Sequence, residues 1–253
     1  MSDKKNKNKG NGHDDNNISE FPKSLKERDT LRRKKEKAEK EAKKSKEPQE
    51  PIFNLPDVVK WLCLIMIAVH VVRQFLPEGL DGQIFYSLAV VPVRYFGDMN
   101  FGWEAIVSLV THIFIHGGWL HLLMNMAMLL AFGAGLEKEI GHKKTLLIFF
   151  VSAVLGAIAH ILFLPDSFRP MIGASGGVSG MFGAILITMQ MNGAMGQGYR
   201  KLMPFILLWV GISLFFGIFG MSGTGGHGIA WTTHIGGFFA GLLLFKPILK
   251  LRI

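Results

Sequence analysis

Long apolar runs constrain this chain more than any other feature, because a hydrocarbon layer roughly 30 Å thick is crossed by about 20 mainly apolar residues in a helix. Six such stretches are read, at 57–77, 119–136, 145–164, 174–191, 202–222 and 229–247. The expected fold class is therefore an all-α polytopic membrane protein with six transmembrane helices. The first stretch is the most polar. Its apolar part lies between Lys60 and Arg73 and contains His70, so it spans a bilayer only with those two charges snorkelling to opposite interfaces.

Charge divides the chain near Pro51. Residues 1–50 hold 16 Lys and Arg against 11 Asp and Glu, whereas the remaining 203 residues hold only 12 and 8. Residues 1–52 have too few apolar side chains to offset chain entropy, and the expectation is a disordered basic tail, or a lone helix supported by pairs such as Glu36 and Lys40. Beside a membrane domain at 53–253, that basic excess reads as a solvated cytoplasmic tail near anionic headgroups rather than a nucleic-acid arm. No short apolar segment with a cleavage site lies near Met1, so no cleavable secretory signal is expected. The single cysteine, Cys63, has no partner for an intramolecular disulfide and reads as packing.

Orientation follows from Lys and Arg in the connecting loops. With the tail inside, the inner loops carry Lys138, Lys143, Lys144, Arg200 and Lys201, and the C-terminal end carries Lys246, Lys250 and Arg252. Of the two short outer loops, one carries Arg169 and the other no Lys or Arg, as the positive-inside rule requires. Both termini are expected in the cytoplasm. The long first outer loop, about 78–118, holds apolar stretches such as "FGWEAIVSLVTHIFIHGG" that suit short amphipathic helices in the outer interface.

Polar groups within spans are costly and are functional suspects. In this orientation spans two, four and six run from outside to inside. His121 and Asn125 lie in the first turns of the second, Ser175 opens the fourth, and His234 lies near the start of the sixth, so at about 1.5 Å per residue all four share one shallow layer. His121 and Asn125 are four apart, on one helix face, and offer donors without adding negative charge. With the Ser175 backbone N–H they suit a developing oxyanion, which the N-terminal dipole of the fourth helix also favours. Gly173 suits the sharp bend before that helix.

No Asp or Glu follows Ser175, so a triad in the order Ser, acid, His is not available, although "GASGG" matches G-x-S-x-G formally. What remains is a dyad in which His234 takes the serine proton. Lys201 lies at the opposite membrane face; His227 is a competing base, but it sits in the glycine-rich "SGTGGHG" loop, where a fixed hydrogen bond is harder to maintain. Gly176 and Gly180 on span four, and Gly237 and Gly241 on span six, have the four-residue spacing that lets helix backbones approach closely and bring Ser175 to His234. Structural roles suit the other polar residues: His70 and His160 as satisfied donors, His112 and His116 as loop braces, Glu137 as an acceptor tying down a turn, and Asp166, near Arg169, as a solvated charge.

Together these residues resemble the rhomboid family of intramembrane serine proteases, over roughly 53–250. "HGGWLHLLMN" fits H-x-x-x-x-H-x-x-x-N through His116, His121 and Asn125; "GASG" surrounds Ser175; and "HIGGFFAG" fits H-x-x-G-x-x-x-G through His234, Gly237 and Gly241. The resemblance implies a rhomboid-like bundle with Ser175 as nucleophile, His234 as general base and then acid, His121 and Asn125 in the oxyanion hole, and structural roles for His116 and Glu137. It also implies an active site open to the extracytoplasmic side, capped by the loop before the last span (221–228), with the fifth span flanking substrate entry. No cofactor or metal is implied, and the partners are transmembrane protein substrates and the lipid bilayer; a bacterial inner membrane is the expected setting. Two positions depart from the family. Val107-Ser108 stand where many members carry Trp-Arg, which bears on loop anchoring, and Ser179 replaces an aromatic that stacks on the catalytic histidine.

Other classes fit less well. There is no H-E-x-x-H for zinc and no pair of acids on facing spans for an aspartyl enzyme. An inactive helix-binding relative would lack the nucleophile or the base. A channel or transporter would string polar residues across the bilayer, and no internal repeat of the kind many transporters use stands out.

Overall fold

The computed structural model describes residues 24–46, 55–97, 101–196, 198–219 and 230–253. The chain divides into two units, Met1–Asn54 and Leu55–Ile253. In the first, Lys, Glu, Ala and Arg, all good helix formers, build helix α1, Leu25–Lys46. The side chains described there, at 28–39, are exposed, and Arg32 Nε donates to Glu36 Oε1 at 2.9 Å across one turn. With no apolar stripe, α1 offers nothing to a core. The rest of 1–52 lies outside the described residues, as does the Lys40 side chain.

Every named element of the second unit is helical: α2 (Asp57–Gln74), α3 (Glu78–Leu88), α4 (Val93–Phe96), α5 (Trp103–Thr111) running into a 3-10 turn at His112–Phe114, α6 (Trp119–Met128), α7 (Ala134–Ile140), α8 (His142–Phe163), α9 (Ser175–Met191), α10 (Met203–Phe219) and α11 (Trp231–Leu249). A π-turn at Leu129–Gly133 joins α6 to α7, and the continuous segment Trp119–Ile140 is apolar throughout most of its length. Gly141, at φ +79°, then breaks the helix and starts α8. Among the described residues, three helical segments are long and apolar enough to cross a bilayer: Trp119–Ile140, His142–Phe163 and Trp231–Leu249. α9 and α10 have 17 residues each, and α2 carries Asp57, Lys60 and Arg73.

The second segment reaches Ile140, past the expected end at 136, because Glu137 is satisfied inside the fold. Its buried carboxylate accepts the Val58 N–H at 2.8 Å and the Val59 N–H at 3.1 Å, and also meets His142 Nδ1. Those N–H groups belong to the first turn of α2, which has no intrahelical acceptors for them. Glu137 is thus a helix cap delivered from another element, tying α2 to α7 and α8.

α8, α9 and α11 form the centre, and small residues set their spacing. Gly237 backs onto the Gly176 carbonyl and Gly241 onto that of Gly180, while a Cβ at Gly156 would lie 2.7 Å from the Thr233 carbonyl. Packing at this distance brings peptide dipoles and dispersion contacts together without a hydrophobic driving force, which lipid does not supply. A Cβ at 241 would sit 2.6 Å from the Gly180 carbonyl carbon and 2.7 Å from its Cα. Gly241→Ala therefore forces α9 and α11 apart, and its expected cost is about 1–3 kcal/mol of stability, read as a lowered midpoint of thermal unfolding in detergent.

The 78–118 connection folds onto this centre. An isolated antiparallel bridge joins Val90 and Met171, with N–H to carbonyl distances of 3.0 and 2.8 Å, and Val93 N–H donates to the Ser167 carbonyl at 3.1 Å. These bonds fix the connection against the segment leading to Ser175. Phe96, Phe101, Trp103 and Ile106 in this connection are exposed.

Candidate active site

Ser175 is the first residue of α9, where the chain turns sharply out of the loop after α8. The turn is made by Gly173 at φ +105°, in the left-handed region that favours glycine. Its N–H donates to the His112 carbonyl at 2.8 Å, and His112 is itself held by a 2.7 Å bond between its Nδ1 and the Ser108 carbonyl. A Cβ at 173 would lie 2.8 Å from His121 Nε2 and 3.7 Å from Asn125 Nδ2. The absent side chain leaves the room in which the His121 ring and the Asn125 amide approach the backbone next to Ser175.

His121 and Asn125 occupy consecutive turns of α6, and Asn125 Nδ2 donates to the His121 carbonyl at 2.9 Å. His116 stands behind them in the loop before α6, its ring edge-on to that of His121 with centroids 5.2 Å apart. Burial, with His121 nearby, pushes the His116 imidazole down to about 3, so it is neutral at any physiological pH. His234 lies in the first turn of α11, one turn before Gly237 and its close contact with Gly176.

Ser175, His234, His121 and Asn125 all line one cavity of about 400 Å3. α10 supplies another wall through Trp209, Ser213 and Phe216, and Arg169 is the one charged residue among the described lining. Ser175 and His234 share the cavity, with no direct hydrogen bond between Ser175 Oγ and the His234 ring. Gly176, Gly237 and Gly241 are not among the residues lining the cavity and act through helix spacing. His227 and the 221–228 cap lie outside the described residues.

Other polar residues have structural roles of different kinds. His160 also lines the cavity, and its Nδ1 lies 2.7 Å from Thr232 Oγ1, which ties α8 to α11. His70 was expected to be a satisfied donor. Instead both its ring nitrogens are buried without a hydrogen-bond partner among the described residues, and the ring packs edge-on to Trp119 with centroids 4.6 Å apart. Ser179 Oγ donates to the Ser175 carbonyl at 2.6 Å, a bond no aromatic could make. At Val107-Ser108, the Ser108 hydroxyl is 3.1 Å from the Tyr95 hydroxyl, which donates to the Ala105 carbonyl. This local network braces the loop where Trp-Arg is missing.

Comparison with known proteins adds an independent line. Residues 103–250, more than half of the chain, match a family model described as Rhomboid domain. Rhomboid-like protein 4 of Arabidopsis thaliana is 33% identical over 143 residues, covering 56% of this chain and 33% of that protein. Rhomboid protease GlpG of Yersinia pestis is 34% identical over 136 residues, covering 53% of this chain and 45% of its own. Rhomboid-like protein 7 of Arabidopsis thaliana is 32% identical over 136 residues, 54% of this chain and 41% of its own. The matched stretch thus spans less than half the length of each of these relatives. Its matched domain and apolar helices make the chain an integral membrane protein of the rhomboid family.

Proposed function

We propose that this protein is an intramembrane serine endopeptidase that cleaves peptide bonds in or beside transmembrane segments of other membrane proteins. The observation that carries the reading is the meeting of Ser175, His234, His121 and Asn125, from three distant segments, around one cavity. Ser175 Oγ attacks the scissile carbonyl and gives its proton to His234. The carbonyl oxygen becomes an oxyanion next to the donors of His121 and Asn125 and the Ser175 N–H, at the positive end of α9. His234 then returns the proton to the leaving amine, an acyl ester remains on Ser175, and water, deprotonated by His234, releases it.

In this reading α2, α9 and α10 complete a set of six spans with the three long apolar segments. At 1.5 Å per residue the 17-residue helices α9 and α10 reach about 26 Å, nearly the hydrocarbon thickness. Residues 1–52 form a cytoplasmic tail ahead of the membrane domain at 53–253, both termini are cytoplasmic, and the cavity opens to the extracytoplasmic side. The distribution of Lys and Arg supports that orientation. A bacterial inner membrane suits this orientation, and the matched relatives come from both Arabidopsis and Yersinia. A substrate helix must unwind to present its carbonyl, so small, helix-weakening residues near its outer end favour cleavage.

The test is cleavage of a single-pass model substrate in proteoliposomes. Wild-type protein is expected to cut it once near its outer end, and Ser175→Ala to lower the rate at least about 10³-fold. Cleavage that persists in Ser175→Ala refutes the reading.

A further inference from the structure

The C-terminal turn of α2 holds a charge that a membrane span would ordinarily send to the interface. Arg73 instead has a side chain only 10% exposed, and each of its three guanidinium nitrogens donates a hydrogen bond. Nε and Nη2 donate to the two oxygens of Asp81, on α3, at 2.7 and 2.9 Å. Nη1 donates to the His116 carbonyl at 2.9 Å, and the group lies 5.2 Å from the centre of the Phe85 ring. A bidentate, largely buried pair of this geometry fixes an arginine far better than an exposed ion pair does.

What Arg73 grips is the hinge that leads into α6. His116 is followed by Gly117 and Gly118, which have no side chains to anchor the turn, and α6 then begins at Trp119. His121 is its third residue, with the His116 ring packed against it. One turn earlier on α2, the His70 ring meets Trp119. The end of α2 therefore holds both sides of a glycine hinge, three residues from the imidazole that faces the cavity.

We propose that Arg73, clamped by Asp81, is a positioning residue that sets the His121 ring through the His116 carbonyl. It rests on the reading of His121 as an oxyanion donor. A misplaced donor weakens only the charged transition state, so the loss falls on kcat and leaves KM in place. Acting through His121, the arginine also has nothing left to position once that imidazole is gone.

The experiment is a double-mutant cycle on the full chain in proteoliposomes with the single-pass substrate, rates being normalised to sites titrated by a fluorophosphonate. Arg73→Ala is expected to lower kcat about tenfold with KM unchanged, and Arg73→Lys, which keeps the charge but not the fork, to recover part of it. In a His121→Ala background, Arg73→Ala is expected to cost no more than about twofold further. Should Arg73→Ala fail to fold, Asp81→Asn, which keeps a hydrogen bond and loses the clamp, serves in the same cycle with a smaller loss. Equal fold-losses in both backgrounds, or a loss confined to the titratable fraction, overturn the proposal alone. A His121→Ala protein with undiminished kcat overturns the oxyanion reading, and the proposal with it.

Discussion

On the proposed mechanism, His234→Ala is expected to lower the turnover of a transmembrane substrate by about 10³–10⁴-fold, and His227→Ala to leave it within about twofold. A serine hydroxyl is a poor nucleophile unless a base takes its proton as the new bond forms, and the leaving amine needs a proton in return. Among the described residues His234 is placed to do both. It lines the Ser175 cavity from the first turn of α11, whose backbone meets that of α9 one turn later at Gly237 and Gly176. The alternatives are poorer. His160 shares the cavity, but its Nδ1 is engaged with Thr232 Oγ1, and Lys201 lies in the connection between α9 and α10, outside the cavity lining. The measurement is kcat per titrated site, and comparable losses at His227 and His234 would show that the base had been misassigned.

The next largest effect is expected at the oxyanion donors. On the proposed mechanism, His121→Ala and Asn125→Ala are each expected to lower kcat by about 10²–10³-fold with little change in KM, because donors in this role act on charge that exists only in the transition state. The lining by both side chains and their approach to the Gly173 backbone support this. Steady-state kinetics with the same substrate decide it: a raised KM at constant kcat would mean that the two side chains bind substrate rather than stabilise the oxyanion.

Much of this was legible in the sequence because lipid imposes a simple rule on it. The apolar run read at 145–164 is α8, His142–Phe163, and the run read at 174–191 is α9, Ser175–Met191. Counting residues into each helix puts Ser175, His234, His121 and Asn125 at similar depth, and in the structure the four line one cavity. What stayed hidden depends on partners far apart in the chain. Glu137 reads from the sequence as an acceptor tying down a turn, but its partners, the Val58 and Val59 N–H groups at the start of α2, stand 79 and 78 residues away and leave no local signal. Arg73 looked like a snorkelling charge, because nothing in helical periodicity links it to Asp81 across the turn after α2. α3 and α4 carry no regular apolar stripe, and their placement comes from the Val90 to Met171 bridge rather than from local preference. The π-turn at Leu129–Gly133 likewise has no signature in residue type.

The identity of the nucleophile can be read from a single covalent mark. Treated with a fluorophosphonate, the protein is expected to lose fluoride from the reagent and form one Oγ–phosphorus bond, found by peptide mass spectrometry at Ser175. The adduct should vanish in Ser175→Ala and form at least about 10²-fold more slowly in His234→Ala. An adduct on Ser179, Ser213 or any other serine, or labelling of Ser175 at an unchanged rate without His234, would contradict the dyad.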